Sequence, residues 1–168
     1  RIVHDLHLDD IHFSIGDIAD FQPAGQVHLA ISLHACDTAT DDALAAAVVW
    51  GTDVILAVPC CQHELASQLP KDRQPMFSDH GILHEKFSSL ATDAMRANLL
   101  ECAGYHTRVM EFIDMEHTAK NLLIRAIKRT NGDTITTGRC REQMLAFCQH
   151  LSVPPLRLQQ KLEEYGLL

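Results

Sequence analysis

The chain has 168 residues, 46 % of them hydrophobic and 21 % charged, enough to bury an ordinary single-domain core. Fourteen Lys and Arg against 22 Asp and Glu leave a formal charge of −8, which offers no general attraction to nucleic acid or to an anionic membrane. No apolar run approaches the roughly 18 residues of a membrane span and no signal-peptide pattern is visible, so no membrane partner is expected and a cytoplasmic location is.

Residues 1–9 read as the end of a helix, and Ile11 to Ile15 alternates as IHFSI, a short half-buried strand closed by Gly16 and Asp17. After a Pro- and Gly-containing turn over 20–26, Val27 to Leu33 is apolar and β-branched enough for an interior strand. Thr38 or Thr40 can cap a helix from about Asp41 to Trp50, with Gly51 as its stop. Val54 to Val58 is the next strand; Pro59, lacking an amide hydrogen, ends its ladder. Residues 66–81 form a polar connection with room for one short helix, and a long helix runs from about Glu85 to Cys102. Tyr105 to Ile113 and Asn121 to Arg129 read as strands joined by the polar stretch Asp114 to Lys120, a loop short enough to require an antiparallel hairpin. Residues 130–138 read as a linker, followed by helices Arg139 to Leu151 and Leu156 to Tyr165, separated by Pro154 and Pro155.

The order predicts an α/β fold: parallel strands, a terminal antiparallel hairpin and a short helical tail, with a main unit over 1–130 and a linker and tail over 131–168. Both apolar strands empty into reactive side chains. The first ends in His34, Cys36 and Asp37, the second in Cys60, Cys61 and His63. If the strands are parallel neighbours, both clusters lie on the carboxyl edge, where open α/β sheets bind ligands. Six cysteines, two adjacent and none regularly spaced, read as reduced thiols rather than a disulfide framework.

The element order, the motifs LHACDTATDDAL (33–44) and VPCCQHEL (58–65), and the run from TDAMRANLLE to EFIDMEHTAKNLLIRA resemble the second half of a class I S-adenosylmethionine-dependent methyltransferase. The resemblance is to a family with a His-x-Cys turn after one strand and a Cys-Cys-x-His turn after the next. Eukaryotic tRNA ribose 2′-O-methyltransferases carry related signatures. The resemblance covers roughly residues 9–130 and implies a Rossmann-like sheet, S-adenosylmethionine as cofactor and RNA as the first candidate acceptor. No G-x-G pattern occurs in the 168 residues, so the cofactor site is expected to be half present, the chain being the carboxyl half of a longer enzyme.

The resemblance places Asp17 where a carboxylate receives the adenine amino group, with the Ile18 amide donating to the ring; Gly-Asp is also a common turn. It places His34, Cys36 and Asp37 toward the methyl group, with His34 as candidate base and cofactor contact, or as a histidine that only hydrogen-bonds the turn. Asp37 orients His34 or, the favoured reading, caps the following helix. Cys60, Cys61 and His63 admit three readings. They hold zinc with His34 and Cys36, supply a nucleophilic thiol, or, the favoured reading, Pro59 and the cysteines shape the acceptor pocket without metal while His63 contacts cofactor or substrate. Thr92, Asp93, Arg96 and Asn98 either reach the rim from their helix or form a solvated face. Glu111, Asp114, Glu116, His117, Lys120 and Asn121 surround the hairpin turn, and Lys128, Arg129, Arg139 and Arg141 are the one basic concentration. The rival from another class is a non-catalytic methyltransferase-like interaction module, in which the thiols and histidines bind zinc or only pack the core.

Overall fold

A computed structural model describes residues 10–33, 35–72, 75–111, 121–130 and 134–168, without the side chains of 134–137. An unbroken apolar run such as VILAV suits a strand flanked on both sides, and it takes that place. The strands are β1 (Leu29–Leu33), β2 (Val54–Val58), β3 (Tyr105–Glu111) and β4 (Leu122–Lys128), in the order β1-β2-β4-β3. β1 runs parallel to β2, in register from Leu29 opposite Val54 to Leu33 opposite Val58. β4 lies antiparallel to β2 and to β3, so the expected parallel pair and terminal hairpin are both present.

The crossover between the parallel strands is α1 (Thr38–Val49), which stops as expected before Gly51, a residue at φ +66° where a Cβ is disfavoured. After β2 come α2 (Glu64–Gln68), α3 (Pro75–Ser78) and the long α4 (Gly81–Cys102). The chain ends in α5 (Thr134–Leu151) and α6 (Arg157–Glu164). The connection over 66–81 thus carries more helix than the single short one expected, and the long helix begins four residues before Glu85.

One sheet face is covered and the other is open. Ile55, Ala57, Ile124 and Ala126 are buried against Leu44 and Val48 of α1 and Leu99 and Leu100 of α4. The same core takes in Met144 and Leu151 from α5 and Leu158 and Leu162 from α6, so the terminal helices pack on the main unit instead of standing apart as an appendage. Arg157 fastens this packing with a paired hydrogen bond to Asp42 (2.8 and 3.0 Å).

Two expectations for the amino-terminal third are corrected. Residues 11–15 form no strand; Phe13 and Ile15 are exposed. An alternating pattern becomes a strand only beside a partner, and the outer edge of β1 has none among the described residues. For the same reason β1 is an edge strand and not an interior one, with Leu29, Ile31 and Leu33 at 50, 57 and 60 % exposure on the uncovered face.

Tyr105 is buried at the start of β3 and donates its hydroxyl to Thr52 O at 2.9 Å. Burial, helped by Asp53, pushes its phenol from 10.0 up to about 12. The folded chain therefore holds this proton more tightly than the unfolded one, and stability falls as pH rises from about 10 to about 12. Chemical denaturation across that window will show the slope, and Tyr105→Phe will flatten it.

Candidate active site

Because β1 and β2 are parallel, the segments following Leu33 and Val58 leave the same sheet edge. Asp37 joins them. Its amide donates to Cys61 O at 2.9 Å, and its Oδ1 accepts the amides of His63 (2.8 Å) and Glu64 (3.1 Å) at the start of α2. Its carbonyl accepts Nη2 of Arg96 at 2.8 Å. Asp37 stands at φ 51°, ψ −123°, a conformation that costs a non-glycine residue about 1–3 kcal/mol and persists because these bonds impose it.

Beneath the rim lies a buried ionic network. Arg96, 1 % exposed, makes a bidentate pair with Asp41 (Nε to Oδ1 2.9 Å, Nη2 to Oδ2 2.8 Å) and a 3.2 Å contact with Asp93. Asp93 also accepts Nε2 of the buried Gln62 at 2.9 Å. Burial acts to lower the Arg96 pKa, but the hydrogen bond and charge of Asp41 outweigh it, so the guanidinium stays charged. Burial raises Asp41 above the usual carboxyl range, against the pull of Arg96.

Three sulfurs converge on the rim. Those of Cys36, Cys60 and Cys61 lie within 4.8 Å of one another, Cys36 and Cys60 at 3.2 Å. The hydrogen bond shared with Cys36, then burial, pushes the Cys60 thiol up to about 11.

The rim therefore assembles Cys36, Asp37, Cys60, Cys61 and the backbone of His63, whereas His34 lies outside the described residues. Asp37 occupies the capping position of α1, but its carboxylate makes no bond there and crosses to α2 instead. The Thr40 hydroxyl donates to Ala35 O at 2.5 Å, and α1 starts at Thr38 instead of near Asp41.

Asp17 and Ile18 are not at this rim. They line an open cleft with His12, Phe21 and Trp50, and no rim residue borders it. Trp50 follows the far end of α1, which at 1.5 Å per residue is about 18 Å from Asp37. Asp17 Oδ1 accepts the Ala19 amide at 3.0 Å, capping the short 3-10 turn Ile18–Asp20.

On α4, Thr92, Asp93 and Arg96 are buried, so the solvated-face reading fails for them. Thr92 donates back to Ser88 O, and Asn98 faces Gln143 of α5 at 3.4 Å. Glu111 is exposed and Asn121 buried, while Asp114, Glu116, His117 and Lys120 lie outside the described residues. Lys128 donates to Gly51 O and Arg129 pairs with Glu101, leaving the exposed Arg139 and Arg141 of the basic concentration.

Sequence reasoning missed Gln62, for which no local pattern speaks, and undervalued Asp41, read only as the approximate start of a helix. Glu64 was also missed; its Oε1 accepts the Arg157 amide at 2.9 Å, tying the end of the chain to the rim helix.

Residues 2–68, less than half of the chain, match a family described as a methyltransferase domain. The match spans β1, α1, β2 and α2, the elements that build the rim, and supports a methyltransferase. No curated protein and no solved structure matches the chain. Among the described residues no helix is long and apolar enough to cross a membrane.

Arg96→Met leaves Asp41 and Asp93 buried without their cation, and urea unfolding should show a loss of about 3–5 kcal/mol. At Asp37, both Ala and Gly remove the bonds to α2, but only Gly relieves the backbone. Asp37→Gly should therefore outlast Asp37→Ala by about 1 kcal/mol in the same assay, the reverse of the usual order.

Proposed function

We propose that the chain carries the acceptor-side half of an S-adenosylmethionine-dependent methyltransferase, with RNA as the first candidate acceptor. The observation that carries this reading is that the segment matching a methyltransferase domain is also the segment whose turns converge on one sheet edge.

The donor supplies a methyl carbon already activated on a sulfonium, so the protein's task is to align the acceptor and, where needed, take its proton. In this reading His34 takes the acceptor proton. Asp37 acts by position: it holds the two turns at fixed separation through Cys61 O and the α2 amides. Pro59, Cys60, Cys61 and His63 wall the acceptor side.

The cleft at Asp17 has the chemistry of an adenine site, with one carboxylate oxygen outside the Ala19 bond and Ile15, Ile18, Phe21 and Trp50 as apolar sides, but its position does not fit a cofactor whose methyl group lies at the rim. The residues present do not supply the Gly-rich turn that takes the methionine end. Cleft and rim are also separated by the length of α1, too far for one cofactor to touch both. The remaining contacts are to be sought outside these 168 residues.

RNA binding draws no help from the net charge of −8, and Lys128 and Arg129 are already engaged within the chain. Contacts from other segments would have to hold the phosphates.

Calorimetric titration tests the reading. This chain alone should bind S-adenosylmethionine weakly or not at all, and a longer protein containing it should bind the cofactor and methylate RNA. In that longer protein His34→Ala should lower kcat about 10²- to 10⁴-fold while cofactor affinity holds. Micromolar binding by this chain alone would mean the cofactor site is misplaced, and absence of binding by the longer protein would favour the non-catalytic module.

A further inference from the structure

In a strand, neighbouring side chains face opposite ways. Pro59 ends the β2 ladder, so Cys60 and Cys61 leave the pleat, and their sulfurs share one small volume with that of Cys36. We propose that Cys36, Cys60 and Cys61 form a three-thiolate site for a thiophilic divalent cation, zinc. This goes beyond the cysteines as pocket walls and does not depend on methyl transfer.

Tetrahedral zinc holds each sulfur at about 2.3 Å, which spaces its sulfurs about 3.8 Å apart. The group found here, with one pair at 3.2 Å and every separation within 4.8 Å, is close enough to that spacing for side-chain adjustment to seat an ion. The backbone that carries the thiols is already pinned, since the amide next to Cys36 donates to Cys61 O. Thiolates are soft ligands and select zinc over magnesium or calcium. On binding, the S–H protons pass to solvent and S–Zn bonds replace them, with no change of oxidation state.

Among the described residues no further His, Cys, Asp or Glu joins the group, and His63 lies outside it. Cys36 is exposed. The group is therefore reached from solvent through Cys36.

Cobalt(II) titration of the reduced full chain tests this. One equivalent should bring thiolate-to-cobalt charge-transfer absorption and the intense d–d bands of tetrahedral coordination, bleached by one equivalent of zinc. Cys36→Ser and Cys60→Ser should each lose the charge-transfer signal in part or whole, while Cys148→Ser, outside the cluster, keeps it. Circular dichroism of each variant separates loss of ligand from loss of fold, and Cys36→Ser, at an exposed position, is the milder change. Absence of the spectrum in the reduced, folded wild-type chain overturns the proposal, as does an unaltered spectrum in both cluster variants. Neither outcome bears on the calorimetric titration with S-adenosylmethionine, so the two readings fail separately.

Discussion

The bidentate pair between Arg96 and Asp41 is the contact on which the rest of this fold is arranged. It joins the first turn of α1 to the middle of α4, and the same guanidinium reaches the carbonyl of Asp37, so the rim rests on a buried cation. Buried ion pairs contribute little net stability, because desolvation offsets the attraction. Their worth is in geometry: a bidentate fork tolerates one orientation, and a helix anchored by it cannot rotate or slide without leaving charges unpaired.

Much of the architecture was legible because it follows from short-range rules. The VILAV run, the proline after it, the glycine after α1 and the brevity of the hairpin connection dictate strand, strand end, helix end and antiparallel pairing. What failed did so where a partner decides the outcome. Among the described residues IHFSI has the alternation of a strand but no neighbour, and Val27 to Leu33 has the composition of an interior strand but stands at an edge.

The site was legible in its membership and not in its wiring. That the two turns meet follows from parallel pairing, but which atom meets which does not. Asp37 reads as the cap of its own helix, and only the fold reveals that its carboxylate lies over another helix instead. Asp93 and Arg96 read as rim residues or as surface charges, since charge usually means solvent, and their burial follows only when the partners, Asp41 and Gln62, arrive from elsewhere in the chain. Asp17 is the converse: the resemblance placed it at the adenine end of the cofactor, and the segment between it and β1 carries it to the other end of α1 from the rim.

Asp41 and Asp42 are consecutive, yet the first points inward to Arg96 and the second outward to Arg157 of α6. An α-helix turns about 100° per residue, so adjacent side chains reach different layers only at one rotational setting. Adding or deleting a single residue within α1 ahead of Asp41 would swing both carboxylates by that angle, presenting one acid to the wrong arginine and the other to none. The rotational setting of the helix behind the turn that carries Cys36 and Asp37 is thus fixed by two ion pairs about 100° apart around its axis.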